Sequence, residues 1–251
     1  MIIPISEEKR LLDILDNSPD IFSEKIRALY RAYGFKYPFC SFYIQENDIV
    51  YCSYYGKGIA YAADPEHISD RELALSFVCS GIFSEVLMPK KLFFGSHIPC
   101  ILSNDIIMRK SCNESVSFIS EFDKEDYETD ISIGETYKIV GSGFDIDFDT
   151  WYTDTSHNVR HGISRIYSLK RRACAVRMFS SNGISFLSYV CTLPSERGRG
   201  LASSLLRYAS FCEALSGCDT YLICDSSLAG FYEKAGFRRD GVAVTVKRQE
   251  R

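Results

Sequence analysis

The run ISFLSYVCTLPSERGRGLASSLL, residues 184–206, constrains the chain more than any other stretch. An apolar, β-rich segment passes within a few positions into Arg-Gly-Arg-Gly, and then into residues with helical periodicity. A helix that starts so abruptly has first-turn N–H groups with no helical acceptor, and its dipole favours negative charge at that end. Glycine lets the backbone approach oxygen atoms closely and take positive φ. Arg197 and Arg199 can add charge-assisted hydrogen bonds. The expected guest is an anion. The plainer alternative is a strand-to-helix turn with two solvated arginines.

The spacing excludes two familiar phosphate loops. It is not GxxxxGK[ST], and no lysine-hydroxyl pair follows to hold a phosphate and Mg²⁺. Nor is it the GxGxxG of a dinucleotide fold.

The surrounding chain has 251 residues, room for one large domain or two small ones. Hydrophobic residues make up 46% and charged residues 25%, as in ordinary soluble domains. No apolar run approaches the roughly 20 residues of a membrane helix. MIIPISEEKR meets its charges too early for a secretory leader, so a cytoplasmic protein is expected. The ten cysteines include no C-x-x-C pair and read as small buried hydrophobes rather than disulfides or a zinc site. Net charge is −4, but residues 1–149 carry 14 Lys and Arg against 25 Asp and Glu, and residues 150–251 carry 15 against 8. The loop lies in the basic part. No binding motif accompanies that charge, so neither a nucleic-acid nor a membrane partner is expected.

Element signals divide the chain into blocks at 1–109 and 110–251. Ser18-Pro19-Asp20 reads as the start of a helix over about 19–33. FCSFYIQENDIVYCSYYGKGIAYAA reads as three strands with turns at Glu46-Asn47-Asp48 and Gly56-Lys57-Gly58. A helix over 70–79 and a strand over 83–88 follow, and residues 93–105 read as a connector. In the second block SVSFIS reads as a strand and Glu121 to Asp130 as a solvated acidic stretch. Helices are expected over 135–140 and 147–161. Three β-rich runs come next, then a helix over 201–215 with Leu201, Leu205, Cys212 and Leu215 at helical spacing. The strand TYLICD, a short helix over 229–235 and the strand VAVTVKR end the chain. Both blocks run helix, three strands, helix, strand. That order points to a mixed α/β fold, an α+β mixed sheet, and raises an internal duplication.

Arg197-Gly198-Arg199-Gly200-Leu201-Ala202 resembles the Arg/Gln-x-x-Gly-x-Gly/Ala motif of the GNAT superfamily of acyl-CoA N-acyltransferases, with Pro194 at the usual place before it. AGFYEKAGF, residues 229–237, resembles the Phe-Tyr-x-x-x-Gly-Phe ending of the same family, at the family's spacing. The resemblance covers about residues 110–251 and implies a GNAT acetyltransferase domain there. Residues 1–109 match by no motif and read as a smaller α/β domain or a degenerate GNAT-like copy.

Carried over, the resemblance implies acetyl-CoA as cosubstrate, no metal, and direct acetyl transfer to an amine acceptor. Val190, Cys191 and Thr192 would run beside the pantetheine arm through their backbone groups, and the Val190 N–H would polarise the thioester carbonyl. Arg197, Gly198, Arg199, Gly200, Leu201, Ala202 and Ser203 would hold the pyrophosphate. Phe231 would pack in the core, and Tyr232 would be the acid that protonates the leaving thiolate. Many members carry asparagine where this chain has Asp225, which makes Asp225 an expected cofactor contact of reduced fit. Residues 184–193 hold no carboxylate to serve as base, leaving Tyr189 or ordered water. His157 and His161, four apart, lack the glutamate and third ligand that a zinc protease helix needs. Transfer of another acyl group, a non-amine acceptor, and a non-enzymatic CoA-binding regulator stay open as alternatives.

Overall fold

The computed structural model describes residues 1–46, 48–93, 100–115, 126–129 and 131–248. Most of the acidic stretch 121–130, residues 116–120 of the expected strand SVSFIS, and residue 47 of the first expected turn lie outside them. The chain divides into two compact units, Met1–Ile107 with Gly241–Arg251, and Met108–Asp240.

The first unit opens with β1 (Ile2–Pro4), α1 (Glu8–Leu15) and α2 (Ile21–Tyr33). The hairpin strands β2 (Cys40–Gln45), β3 (Ile49–Tyr54) and β4 (Lys57–Ala62) follow, then α3 (Arg71–Val78), β5 (Glu85–Pro89) and β6 (Cys100–Lys110). The sequence places the start of α2 at Pro19. The structure places it at Ile21, because the Asp20 carboxylate takes the N–H groups of Phe22 and Ser23 while Ser23 Oγ accepts from the Asp20 N–H. That capping box leaves Ser18 outside the helix, at φ 66°. The expected connector over 93–105 is also corrected at its far end, where β6 begins at Cys100.

The second unit holds α4 (Cys112–Ser115), β7 (Tyr127–Glu128), α5 (Ile133–Val140), α6 (Phe148–Arg160), β8 (Arg165–Leu169), β9 (Ala173–Ser181) and β10 (Ile184–Thr192). It continues through α7 (Leu201–Ala214), β11 (Asp219–Cys224) and α8 (Ala229–Lys234) to β12 (Arg238–Arg248), whose later part returns to the first unit. There β12 pairs antiparallel with β5, from Ala243↔Pro89 to Lys247↔Glu85. The β9–β10 hairpin turns at Asn182 and Gly183, both with positive φ, as a two-residue turn between twisted strands requires. α5 and α6 start on the side-chain caps Ser132 and Asp147.

Both units follow one order: strand, two helices, three antiparallel strands, helix, strand. In each, the third of those antiparallel strands pairs parallel with the strand after the next helix over three residue pairs. These run from Lys57↔Glu85 to Ile59↔Leu87 in the first unit, and from Ile184↔Asp219 to Phe186↔Tyr221 in the second. The expected mixed α/β fold is the one observed.

Each unit has its own core. In the first, Tyr51, Ala60, Val78, Val86, Met88 and Val244 are buried together. In the second, Ile139, Val140, Trp151, Cys174, Val176 and Cys191 form a cluster between α5, α6 and the strands. α7 packs on β8, β9, β10 and β11. Its buried residues include Leu205, Leu206, Ala209 and Glu213, whereas Leu215 from the expected stripe is exposed. Glu213 is tolerated inside because Tyr167 donates to its Oε1 and Arg177 Nη1 lies 3.5 Å from the same oxygen.

Candidate functional site

β10 is the strand on which the site is built. Its parallel ladder with β11 stops at Phe186↔Tyr221, although β10 runs on to Thr192. Against β9 it carries a bulge: Ser188 pairs with Val176 and Cys191 with Cys174, so Tyr189 and Val190 together oppose one residue. Tyr189 takes the bulge's left-handed backbone, φ 50°. The ladder with β11 thus ends before residues 190–192, which leaves that edge of β10 without a β11 partner. Cys191 turns its thiol towards α5, 3.2 Å from the Ile139 carbonyl, so only its backbone can face that edge. Thr192 Oγ1 is buried and has no hydrogen-bond partner.

The loop after β10 makes a single 3₁₀ turn at Pro194–Glu196 and enters α7 through Gly198 and Gly200, each at φ 77°. A side chain would strain both positions; here glycine is a conformational requirement. No side chain caps α7, and the Ser204 N–H is bonded to the Gly200 carbonyl. The N–H groups of Leu201, Ala202 and Ser203 precede that bond and have no acceptor within the helix.

The two arginines are engaged within the protein. Arg197 donates through Nε to the Thr192 carbonyl at 3.3 Å and through Nη2 to the Ser142 carbonyl at 3.5 Å. Arg199 Nη1 lies 2.9 Å from Glu196 Oε2, which Arg172 also reaches at 3.4 Å. Both guanidinium groups are exposed at the mouth of the loop. The contribution of Ser142, in the turn between α5 and α6, has no motif and was invisible in the sequence. The same turn approaches β10 so closely that a Cβ on Gly143 would stand 2.6 Å from Cys191 Sγ.

Tyr232 lies on α8, buried, with its ring against Phe231 and Phe237 at 5.0 and 6.1 Å between centroids. Burial, reinforced by the Cys224 thiol, pushes its phenol up to about 12. The group is therefore a proton donor across the neutral range. Phe231 is only half-buried. Asp225 is exposed and its Oδ1 accepts the Ser227 N–H at 2.8 Å, which caps the short turn before α8 and holds its carboxyl below the usual range. Tyr189 is half-buried, with its phenol raised by burial and by the charge of Asp154. A base needs the opposite shift. The rings of His157 and His161 stand 4.3 Å apart, and among the described residues no group of three His, Cys, Asp or Glu is placed to hold a metal. Among those residues, too, no helix is long and apolar enough to cross a membrane, and all ten cysteines are free thiols.

The sequence model of the Acetyltransferase (GNAT) domain matches residues 163–239, from the start of β8 through the glycine loop and α8. Residues 163–239 are thus similar in sequence to that domain. No curated protein matches the chain in sequence. Among solved structures, a GCN5-related N-acetyltransferase from Kribbella flavida superposes with TM-score 0.63 at 14% identity, covering 92% of this chain and 95% of its own. An acetyltransferase of the GNAT family from Colwellia psychrerythraea gives 0.62 at 13%, covering 99% and 100%. A Drosophila protein gives 0.65 at 11%, covering 99% and 98%. At such identities the likeness is one of fold, and it extends over nearly the whole chain.

Proposed function

We propose that the protein is an N-acetyltransferase that moves acetyl from acetyl-CoA directly to an amine. The observation that carries this reading is the end of the β10–β11 ladder beside an uncapped helix start. Backbone groups of Val190, Cys191 and Thr192 lie along an edge suited to the amides of pantetheine, and the buried Thr192 Oγ1 lacks a partner. The N–H groups of Leu201, Ala202 and Ser203 fit a pyrophosphate. Gly198 and Gly200 let the backbone approach it, and Arg199 can swing from Glu196 to add charge.

The thioester supplies the acyl group and a thiolate leaving group. Transfer breaks the C–S bond, makes a C–N bond and releases one proton when the acceptor arrives as ammonium. The Val190 N–H polarises the thioester carbonyl as charge grows on its oxygen. Tyr232 gives its proton to sulfur, whose conjugate acid has a pKa near ~8.5. The phenol regains a proton from solvent. Ordered water takes the ammonium proton; Tyr189 is withdrawn from that role because its phenol is raised. In this reading the first unit is a degenerate GNAT-like copy that binds no CoA.

Calorimetric titration with acetyl-CoA, followed by thiol release over a panel of amines, tests the proposal. The expected result is saturable binding and amine-dependent thiol release. Binding without amine-dependent release would leave a CoA-binding regulator instead, and absence of binding would end the reading.

A further inference from the structure

We propose that the second unit carries a further anion site, for the phosphate group of a soluble phosphate ester, in an open cavity of about 530 Å³ at the C-terminal end of α8. Four cations line it: Lys110 from the end of β6, Arg207 from α7, and Lys234 and Arg238 on either side of the turn that closes α8. The two carboxylates in its wall are already engaged by arginines. Glu114 Oε1 accepts from Arg238 at 2.5 Å, and Glu233 Oε1 accepts from Arg239 at 2.8 Å. Among the described residues, Arg207 and Lys234 are exposed and pair with no carboxylate. The cavity therefore holds an excess of positive charge.

Lys110 is the fixed part of the site. It is 3% exposed, its ammonium donates to the Ala235 carbonyl at 3.4 Å, and it stands 5.9 Å from the centre of the Phe237 ring. Gly236 borders it at φ 92°, and a Cβ there would stand 3.4 Å from Lys110 Cε and 3.5 Å from Nζ. A side chain at 236 would cover the ammonium; glycine leaves it open to the cavity. Burial, and then the charge of Arg207, push the Lys110 ammonium below its usual value, with Glu114 opposing. Two cations at one cavity repel each other. An anion between them turns that repulsion into attraction.

This cavity is separate from the glycine loop. Arg207 follows Leu201 by six residues, about 9 Å further along α7. Arg109, the neighbour of Lys110, reaches Asp219 at 2.6 Å, and Asp219 pairs with Ile184. The edge of β10 expected to face pantetheine begins six residues later at Val190, roughly 20 Å along the strand. The volume suits a small molecule. Its cations converge on one hollow instead of tracking a strip, as a nucleic-acid backbone would require. A phosphate ester brings close to two charges and three acceptor oxygens, enough for the Arg207 fork and two ammonium groups. A monocarboxylate, with one charge, would leave part of the excess unmatched.

The test titrates glycerol 3-phosphate into the full chain carrying Arg199→Glu, a background in which the glycine loop repels anions, with glycerol as the uncharged control. Calorimetry should show one saturable equivalent of the ester and none of glycerol. Arg207→Glu and Lys234→Glu, both at exposed positions, should each weaken binding by roughly 10-fold or more, the scale of a lost charge-assisted bond. Lys110→Met, which keeps the length of the stem, should do the same; the exposed variants decide the matter if that protein fails to fold. Without Arg199→Glu, neither exposed variant should change acetyl-CoA affinity. No saturable binding of the ester, or binding indifferent to both exposed variants, overturns the proposal. An equal loss of acetyl-CoA affinity also overturns it, because the cavity would then belong to the cosubstrate's own site. Vesicles of phosphatidylcholine with phosphatidic acid should not retain the protein. Retention that Lys234→Glu abolishes would give the cavity to a lipid headgroup instead.

Discussion

Arg197 reaches back from the glycine loop and donates to the carbonyl of Ser142, 3.5 Å away in the turn between α5 and α6. With its Nε on the Thr192 carbonyl, one side chain ties the end of β10 to the turn that carries Phe144 against Tyr189. Arg199, by contrast, is held among the described residues within its own loop, by a pair with Glu196. Such pairs are worth about 0–1 kcal/mol, so Arg199 is cheaply released to a phosphate.

The two arginines should therefore fail differently. Arg199→Ala is expected to weaken acetyl-CoA binding and leave the acceptor KM alone. Arg197→Ala should affect both, each by roughly 3–10-fold for the loss of about one hydrogen bond. Calorimetry with acetyl-CoA and steady-state kinetics on one amine give both quantities. Matching effects from the two variants would dissolve the distinction.

Tyr232→Phe removes one oxygen and little packing. Turnover should fall by roughly 10²–10⁴, the scale of a positioned general acid, with acetyl-CoA affinity nearly unchanged. Because the phenol stays protonated up to about 12, the wild-type rate should show no descending limb from Tyr232 as pH rises from neutral. A near-normal single-turnover rate in the variant returns Tyr232 to a packing role.

The strands of both hairpins, the glycine loop and α8 were legible in the sequence because each carries its own local chemistry. β-rich runs are bounded by turn residues, Gly198 and Gly200 sit at positive φ, and Asp70 and Asp147 cap helices where acids are expected. α1 went unread for the converse reason: its N-cap is Glu7, which makes no side-chain cap. The first positions of β6 include exposed polar residues, so no alternation announces it. Arg197 was identified, but its direction depends on Ser142, which only folding brings near. The bulge at Tyr189 has no signature, since Ser-Tyr-Val reads as ordinary strand.

Asp20 offers a stability test away from the site. Burial raises its carboxyl to about 6, against the pull of the Phe22 and Ser23 N–H groups, whereas the ordinary value is 3.8. Between those values the folded chain binds a proton that the unfolded chain has lost. Folded stability therefore falls as pH rises across that window. Asparagine caps as well as aspartate but cannot ionise. Asp20→Asn should match wild type near pH ~4 and exceed it above pH ~6. Melting temperatures of the two proteins across this range decide it, and a constant difference would refute the assignment.

The two units begin the helix after their third antiparallel strand in different ways. α7 has no side-chain cap and is preceded by Arg197 and Arg199. α3 occupies the matching place in the first unit, yet Asp70 Oδ1 already accepts the Leu73 N–H at 2.9 Å. The loop before it carries Asp64 and Glu66, and Ser69 brings in Asp48 and Glu46 through its hydroxyl. An incoming pyrophosphate would meet carboxylates where the second unit offers N–H groups and guanidinium. The parallel ladder ends after three pairs in both units, but only one start can accept an anion. Titration of the whole chain should thus give one equivalent of acetyl-CoA, and Arg199→Glu should weaken the entire signal rather than half of it, since a carboxylate then faces the phosphate. Two equivalents, or a second site that survives Arg199→Glu, would show that the first unit binds the cosubstrate as well.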